Sequence, residues 1–285
     1  MALKLMYLTN NPTVAQIAEN ASVDRIFLDL ELRGKEERQG HLDTVISHND
    51  LSDVRPLKAA LQTAELLVRV NPIYDGSKAE IDRVIADGAD IVMLPFFKTP
   101  TEVETFIRLV GGRAKVCLLC ETPEAVDCID DILALSGIDE IHIGLNDLHL
   151  GYKMTFMFQL VADGTAERLC RKFREKGIAY GFGGVGRLGG DVPLPAENIV
   201  DEHYRLGSQM VILSRAFCDT SKITDLDDIR ETFRTGAQTF REYETVAAGK
   251  TANELAQSHS DTQRRVQAIV ETIQKKRAAQ AKGAE

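Results

Sequence analysis

The chain has 285 residues, 44% of them hydrophobic, and a formal net charge of −9 at pH 7. This charge argues against nucleic acid as the main partner, because phosphates are bound by basic surfaces. No apolar run approaches the ~20 residues of a membrane span, so we expect no membrane partner. The amino terminus lacks the features of a signal peptide, and five cysteines in mostly apolar surroundings indicate free thiols. We therefore expect a cytoplasmic protein.

The chain alternates apolar, strand-like runs with helical stretches. The predicted strands cover residues 3–9, 25–30, 65–70, 91–95, 115–121, 140–145, 178–184 and 210–215. The predicted helices cover residues 12–20, 50–63, 77–87, 99–110, 122–135, 165–176, 196–205 and 225–243. Near-continuous apolar strands are typical of parallel sheets covered on both faces. Eight strand–helix units predict a (β/α)₈ TIM barrel, and an open doubly wound sheet ranks second because it normally uses fewer strands.

We assign the barrel to residues 1–248 and a C-terminal helical extension to residues 249–285. In the extension, one helical face carries four apolar side chains, namely Val266, Ile269, Val270 and Ile273. Leaving them exposed would cost on the order of 1.5 kcal/mol or more per side chain relative to burial. We therefore predict a homo-oligomer that is held together partly by this extension.

Active sites of barrels lie at the carboxyl ends of the strands, and polar residues concentrate there in this sequence. They are Thr9, Asn10, Asn11, Asp29, Glu31, Arg69, Asn71, Lys98, Glu121, Asn146, Asp147, Ser214 and Arg215. The amino ends of the strands show no comparable concentration. Each of these residues taken singly could be a solvated loop start, but that alternative is weaker for the whole set. Glu121 and Asp147 end two neighbouring strands, and such a pair is a natural seat for a hard cation such as Mg²⁺.

Arg69 lies in the apolar run Leu66-Leu-Val-Arg-Val-Asn71. A buried arginine is costly unless it is paired, because its charge cannot be removed. One interpretation makes it a structural partner of Asp29 or Glu31, which share a strand face. The other has it stabilise a substrate oxyanion near the metal.

Three further features of the sequence bear on its chemistry. Gly181-Phe-Gly-Gly-Val-Gly186 formally fits the dinucleotide fingerprint, but no helix can begin at its third glycine, which argues against such a site. A loop that approaches an anionic substrate and a structural turn both remain open. Cys117 and Cys120 should point to opposite faces of a strand, which argues against a metal or redox role. Among the histidines, His142 is predicted to be packed, whereas His41, His48 and His149 are candidate acid/base groups.

Several of these segments resemble a known family. The segment from Glu121-Thr-Pro-Glu to Gly144-Leu-Asn-Asp147-Leu resembles the HpcH/HpaI aldolase and citrate lyase β-subunit superfamily, built on the phosphoenolpyruvate/pyruvate barrel. Phe27-Leu-Asp-Leu-Glu31 and Arg69-Val-Asn71 look like its Asp-x-Glu and Arg-Val-Asn segments. The likeness covers residues 24–215.

The resemblance implies a metal-dependent reaction. Glu121 and Asp147 would ligate Mg²⁺ or Mn²⁺, a 2-oxo acid would chelate the ion, and Arg69 would stabilise an enolate oxygen. We group Asp29 and Glu31 with Arg69 as catalytic residues. The residues assigned to substrate binding are Arg69, Gly144, Leu145 and Asn146.

Two departures from the family pattern concern the substrate. Aldolases of the family carry a histidine directly after Asp-x-Glu, where this chain has Leu32, and the loop after Pro95 lacks their longer insertion. The citrate-lyase-like branch also lacks that histidine. We therefore expect a carbon–carbon lyase or aldolase that handles a pyruvate- or oxaloacetate-type enolate, in either direction, with a 2-oxo acid or an acyl-CoA as substrate. The alternative is a divergent barrel that binds a metal and a 2-oxo acid as a regulatory subunit.

Overall fold

The structure is a computed structural model that describes residues 2–32 and 49–282. His41 and His48, two of the acid/base candidates, lie outside the described residues. Eight parallel strands pair in chain order, and the last pairs with the first. They are β1 (Lys4–Leu8), β2 (Arg25–Asp29), β3 (Glu65–Arg69), β4 (Ile91–Leu94), β5 (Lys115–Cys120), β6 (Glu140–Ile143), β7 (Ala179–Val185) and β8 (Met210–Leu213). The predicted TIM barrel is confirmed, and each strand bound lies within two residues of its predicted position.

Helices follow the strands and cover the outside of the barrel. They are α1 (Pro12–Asn20), α2 (Val54–Ala60), α3 (Ser77–Ala86), α4 (Pro100–Val110), α5 (Pro123–Asp127), α6 (Ile129–Ile132), α7 (Leu145–Gly151), α8 (Gln159–Ala162), α9 (Thr165–Glu175), α10 (Ala196–Leu206), α11 (Leu226–Gly249) and α12 (Ala252–Lys282). A 3₁₀ turn, Leu51–Asp53, precedes α2. The predicted helix over 122–135 is divided at Cys128 into α5 and α6, and neither α7 nor α8 was predicted.

The local sequence explains where these helices begin and end. The helix α4 has Pro100 in its first turn, and Thr99 and Glu102 form a capping box in front of it. It ends at Gly111, whose φ of 60° lies in the left-handed region that glycine adopts without strain. No helix in the described ranges 2–32 and 49–282 is long and apolar enough to cross a membrane.

The core has two parts, one inside the barrel and one between the strands and the helices. The inner part contains Met6, Phe27, Leu67, Ile91, Met93, Cys117, Leu119 and Met210. Cys120 belongs to the outer part. The prediction that Cys117 and Cys120 point to opposite faces of their strand is therefore confirmed.

The amino ends of the strands hold a buried ion network that was not predicted from the sequence. Arg25, fully buried at the start of β2, donates to Glu140 Oε2 at 2.7 Å and to Glu65 Oε2 at 2.8 Å. Lys115 Nζ donates to Glu65 Oε1 at 2.6 Å. Arg25 and Glu65 begin neighbouring strands, whereas Glu140 begins β6 and reaches Arg25 across the interior of the closed barrel. The network closes the floor of the barrel, away from the carboxyl ends of the strands.

Replacing Arg25 with methionine should destabilise the barrel strongly. Glu140 is 5% exposed, and removing one partner of a buried pair leaves an uncompensated charge, which costs about 3–5 kcal/mol. Urea denaturation would measure this loss. Arg234→Met is the matched control, because Arg234 pairs with Glu231 on the surface, and it should leave the free energy of unfolding nearly unchanged. Equal losses in the two variants would contradict a structural role for the network.

The C-terminal helix α12 packs against α10 of the same chain. Asp201 accepts hydrogen bonds from Lys250 and Ser258, and Glu202 Oε1 lies 2.7 Å from His259 Nδ1. Of the predicted apolar stripe, Val266 and Val270 are buried, whereas Ile269 and Ile273 are partly exposed. The chain itself therefore covers part of the stripe, and the homo-oligomer stays a prediction.

Candidate active site

Two buried carboxylates, Glu121 and Asp147, line one cavity at the carboxyl end of the barrel. Glu121 directly follows β5 and is 3% exposed, and Asp147 is 8% exposed. The cavity has a volume of about 500 Å³. Asp147 does not end a strand as expected, because β6 stops at Ile143 and Asp147 lies in the first turn of α7. Both predicted ligands nevertheless face the same space.

Both carboxylate oxygens of Glu121 have close neighbours. The backbone N–H of Phe96 donates to Oε1 at 3.1 Å. Phe96 has a φ of 49°, a left-handed conformation that is uncommon outside glycine. A Cβ atom placed on Gly144 would lie 2.7 Å from Oε2, so only glycine fits beside this carboxylate. Gly144, predicted to bind substrate, therefore also makes room for Glu121.

The surroundings of Glu121 disfavour its negative charge. Burial raises the pKa of its carboxyl group, the charges of Asp147 and Glu31 raise it further, and Arg69 opposes them. The net pKa lies well above the ordinary value. A cation beside the two carboxylates would relieve this unfavourable charge, and oxygen ligands suit Mg²⁺ or Mn²⁺.

The number of protein ligands at this position is small. Within residues 2–32 and 49–282, no group of three or more histidine, cysteine, aspartate or glutamate side chains is placed to hold a metal ion. Magnesium is commonly bound through one or two carboxylates, with water or substrate oxygens completing the octahedron. The pair Glu121 and Asp147 fits that mode of binding and does not resemble a closed structural site.

Arg69 lies at the end of β3 between Asp29 and Glu31. Its Nε and Nη2 donate to the two carboxylate oxygens of Asp29 at 2.8 and 2.7 Å, and Nη1 lies 3.4 Å from Glu31 Oε2. Burial opposes the charge of Arg69, but Asp29, Glu31 and Glu121 together raise its pKa above the ordinary value. The structure thus brings the three predicted catalytic residues together. These contacts agree with the interpretation in which Arg69 is a structural partner of Asp29 and Glu31. They also hold the guanidinium near Glu121.

The remaining predicted substrate-binding residues, Leu145 and Asn146, begin α7. Leu145 is 1% exposed and belongs to the core between strands and helices. A Cβ atom on Gly183 would lie 2.7 Å from Leu145 Cδ1, so the two residues pack closely. Asn146 is partly exposed, and its Nδ2 donates to Asp147 Oδ1 at 3.4 Å. Asn146 is therefore more exposed than Leu145, and it directly precedes Asp147 in the chain.

The two histidines of this region have different surroundings. His149 lies in α7, and its Nδ1 is turned back on the carbonyl oxygens of Leu145 and Asn146. His142 lies in β6, is 1% exposed, and its Nε2 is 3.0 Å from the carbonyl oxygen of Gly183. Burial lowers the pKa of His142 to about 4. His142 is packed, as predicted.

Most of the glycine-rich run lies inside β7. A Cβ atom on Gly181 would lie 2.3 Å from the carbonyl oxygen of Met210 in the neighbouring strand. Gly183 has a φ of 53°, and the pairing of β7 with β8 shifts register between Gly181 and Gly184. The glycines therefore allow an irregular strand to pack closely against β8, whereas the sequence left open a substrate loop and a structural turn.

Three residues on the wall of the cavity were not predicted from the sequence, namely Phe96, Glu124 and Leu150. Phe96 lines the cavity shortly after β4, and its backbone N–H donates to Glu121. Nothing in the sequence indicates a left-handed phenylalanine. Glu124 lies in the first turn of α5, three residues after Glu121, and lines the same cavity.

Comparisons with known proteins agree with this architecture. The sequence model of the HpcH/HpaI aldolase/citrate lyase family matches residues 4–181, which is more than half of the chain. No curated protein matches the sequence. An HpcH/HpaI aldolase from Desulfitobacterium hafniense DCB-2 is similar in structure, with a TM-score of 0.59, 17% identity, and coverage of 85% of this chain and 93% of that one.

Two further solved structures are similar to the same extent. An HpcH/HpaI aldolase/citrate lyase family protein from Burkholderia cenocepacia J2315 has a TM-score of 0.59 and 17% identity, with coverage of 85% of this chain and 94% of that one. Citrate synthase SbnG has a TM-score of 0.58 and 15% identity, with the same two coverages. At these identities the structural likeness supports the fold, and the match of residues 4–181 supports the family.

Proposed function

The chain belongs to the HpcH/HpaI aldolase/citrate lyase family, and on that basis we propose that it is a divalent-metal-dependent carbon–carbon lyase or aldolase. The proposed reaction passes through the enolate of a pyruvate- or oxaloacetate-type 2-oxo acid. The observation that carries the proposal is the buried pair Glu121 and Asp147 on one cavity, with Arg69 close enough to influence the charge of Glu121. Cleavage and condensation share this enolate, so the proposal covers both directions, with an aldehyde or an acyl-CoA as the second reactant.

Each proposed role follows from the chemistry of the side chain. Glu121 and Asp147 would hold Mg²⁺ or Mn²⁺ by their carboxylate oxygens. A divalent cation held there stabilises negative charge on the oxygens of a 2-oxo acid. Arg69 is proposed to donate to the enolate oxygen, and its contacts with Asp29 and Glu31 orient its planar group in advance. We propose that Asp29 and Glu31 position Arg69 in this way.

Exchange of the methyl protons of pyruvate for solvent deuterium tests the proposal. We expect the proton signal of the methyl group to decay in D₂O when the protein and Mg²⁺ or Mn²⁺ are present, and to persist when a chelator is added. The Glu121→Gln variant should behave like the chelated protein. If pyruvate or oxaloacetate stabilises the protein against heat in a metal-dependent way but no exchange occurs, the chain is the non-catalytic binding barrel instead.

Substituting alanine for Gly144 should weaken metal binding. The added Cβ would lie 2.7 Å from both Cβ and Oε2 of Glu121, so the carboxylate must move. Changes that disturb the support of a metal ligand typically cost about 10–100-fold in affinity, and we expect a loss in that range by calorimetry. Gly190→Ala is the control, because a Cβ there would approach no atom closer than 3.8 Å. Unchanged Mn²⁺ affinity in the Gly144 variant would argue that Glu121 is not a ligand.

We also propose that the protein is a homo-oligomer, with the exposed part of α12 in the contact. Ile269 and Ile273 keep partial exposure, and most residues after Val270 are exposed. Replacing both isoleucines with glutamate should lower the molar mass measured by light scattering, whereas Gln274→Glu should not. Truncation after Ala248 should lower the assembly state as well. A wild-type monomer at micromolar concentration would contradict this proposal.

A further inference from the structure

The loop after β4 presents a backbone N–H group to a proposed metal ligand. The N–H of Phe96 donates to Glu121 Oε1 at 3.1 Å, and the same residue has a φ of 49°. A left-handed conformation is rare for a bulky residue such as phenylalanine, and it persists only where the surrounding structure holds it. The residues around this loop must therefore supply contacts that keep it in this shape.

The side chain of Thr122 reaches the loop from the end of the neighbouring strand. Its hydroxyl donates to the carbonyl oxygen of Phe97 at 2.7 Å, and the bond is buried, since Thr122 is 1% exposed and Phe97 is 2% exposed. Thr122 directly follows Glu121 in the chain. One residue is therefore the proposed ligand, and the next contacts the loop that donates to it.

The hydroxyl of Thr122 has a second partner, which orients it. The N–H of Ala125 donates to Thr122 Oγ1 at 3.1 Å, as expected of a threonine at the N-cap of α5. A hydroxyl group has a single hydrogen and two lone pairs, so accepting this bond leaves the hydrogen for the carbonyl oxygen of Phe97. The helix α5 and the loop after β4 thus share one side chain.

The other end of α5 also contacts the loop. The Sγ atom of Cys128, at the C-cap of α5, donates to the carbonyl oxygen of Lys98 at 3.4 Å. The bond from Thr122 is the one of these two that lies nearer to Phe96 along the chain. Together, the N–H of Phe96 and the carbonyl group of Phe97 enclose the left-handed residue between two contacts with the segment Glu121-Thr122.

We infer that Thr122 is a positioning residue for the proposed metal site. Its bond to Phe97 holds Phe96 in the left-handed conformation, and the N–H of Phe96 in turn fixes Glu121 Oε1. Groups that orient a metal ligand in this way contribute to the affinity for the ion. The inference rests on the proposed function as regards the metal ion, whereas the contact between Thr122 and the loop can be measured without metal.

Two variants of Thr122 test the inference, because valine keeps the shape of threonine without the hydroxyl and serine keeps the hydroxyl. In the metal-free wild-type protein, NMR should show the Phe96 amide exchanging with D₂O more slowly than an unprotected amide. The exchange should be about tenfold faster in Thr122→Val and near the wild-type rate in Thr122→Ser. By calorimetry, Mn²⁺ affinity should fall about tenfold in Thr122→Val and stay within about threefold in Thr122→Ser.

Two further variants separate positioning from helix capping. Thr251→Val removes the hydroxyl that accepts from the N–H of Glu254 at the start of α12, outside the cavity, and should change neither quantity. Adding Phe96→Gly to Thr122→Val should restore part of the Mn²⁺ affinity, because glycine adopts the φ of 49° without strain. That change would not repair the lost cap of α5.

The contrary outcomes are distinct from those of the proposed function. The inference is overturned if the Phe96 amide is unprotected in the wild-type protein, a measurement that needs no variant to fold. It is also overturned if that amide exchanges equally fast in wild-type and Thr122→Val protein, or if Thr122→Ser loses as much Mn²⁺ affinity as Thr122→Val. A wild-type protein that binds no Mn²⁺ contradicts the proposed function instead, and amide exchange then decides whether Thr122 holds the loop.

Discussion

Replacing Glu121 with glutamine, or Asp147 with asparagine, should remove most of the affinity for Mg²⁺ and Mn²⁺ while the barrel stays folded. Each amide keeps the shape of the carboxylate and loses its charge, which is the property that attracts a hard cation. We expect a loss larger than the ~10–100-fold that follows from disturbing the residues around a metal ligand. Burial already disfavours the charge of Glu121, so Glu121→Gln should not lower the stability of the metal-free protein.

Calorimetric titration with both metals, paired with thermal unfolding in a chelator, separates binding from folding. Glu231→Gln and Asp130→Asn are matched controls, because both residues are exposed and lie outside the cavity. They should bind metal like the wild-type protein. If Glu121→Gln and Asp147→Asn also bind metal normally, the carboxylate pair is not the metal site, and the proposed function loses the observation on which it rests.

The barrel could be predicted from the sequence because its strands are marked locally. The run at 115–121 is apolar and continuous, and the helix after it begins at Thr122-Pro123, where a capping threonine and a first-turn proline coincide. The helix α7 was not predicted, because its start has no such local mark. Leu145 continues the apolar run of β6, and strand and helix cannot be separated by periodicity over so few residues.

Residues whose roles depend on distant contacts could be predicted less well. The ends of neighbouring strands meet in any barrel, so Glu121, Asp147 and Arg69 could be assigned to one rim from strand order alone. The left-handed backbone of Phe96 could not be predicted, because a phenylalanine gives no local indication of it.

The apolar stripe of α12 is ambiguous in another way. The same apolar face can cover its own barrel or a neighbour, and the structure places Val266 and Val270 against the chain itself.

Arg69 carries the second large expected effect, because its two interpretations predict different outcomes for Arg69→Lys. Lysine keeps the positive charge near Asp29 and Glu31 but loses the planar group that contacts both oxygens of Asp29. If Arg69 stabilises the enolate oxygen, pyruvate exchange should slow about 100–1,000-fold, the usual cost of removing one oxyanion donor. The dissociation constant for Mn²⁺ should change only a few-fold, because Arg69 is not a proposed ligand.

Arg69→Met separates catalysis from folding at the same position. Asp29 and Glu31 are 2% and 1% exposed, and removing the counter-charge that Arg69 provides should cost about 3–5 kcal/mol in urea denaturation. Arg69→Lys should cost clearly less, since the charge remains. A lysine variant that is stable, binds Mn²⁺ normally and has lost exchange assigns Arg69 to the reaction. A lysine variant that exchanges pyruvate within a few-fold of the wild-type rate makes the arginine structural, with Asp29 and Glu31 as its partners.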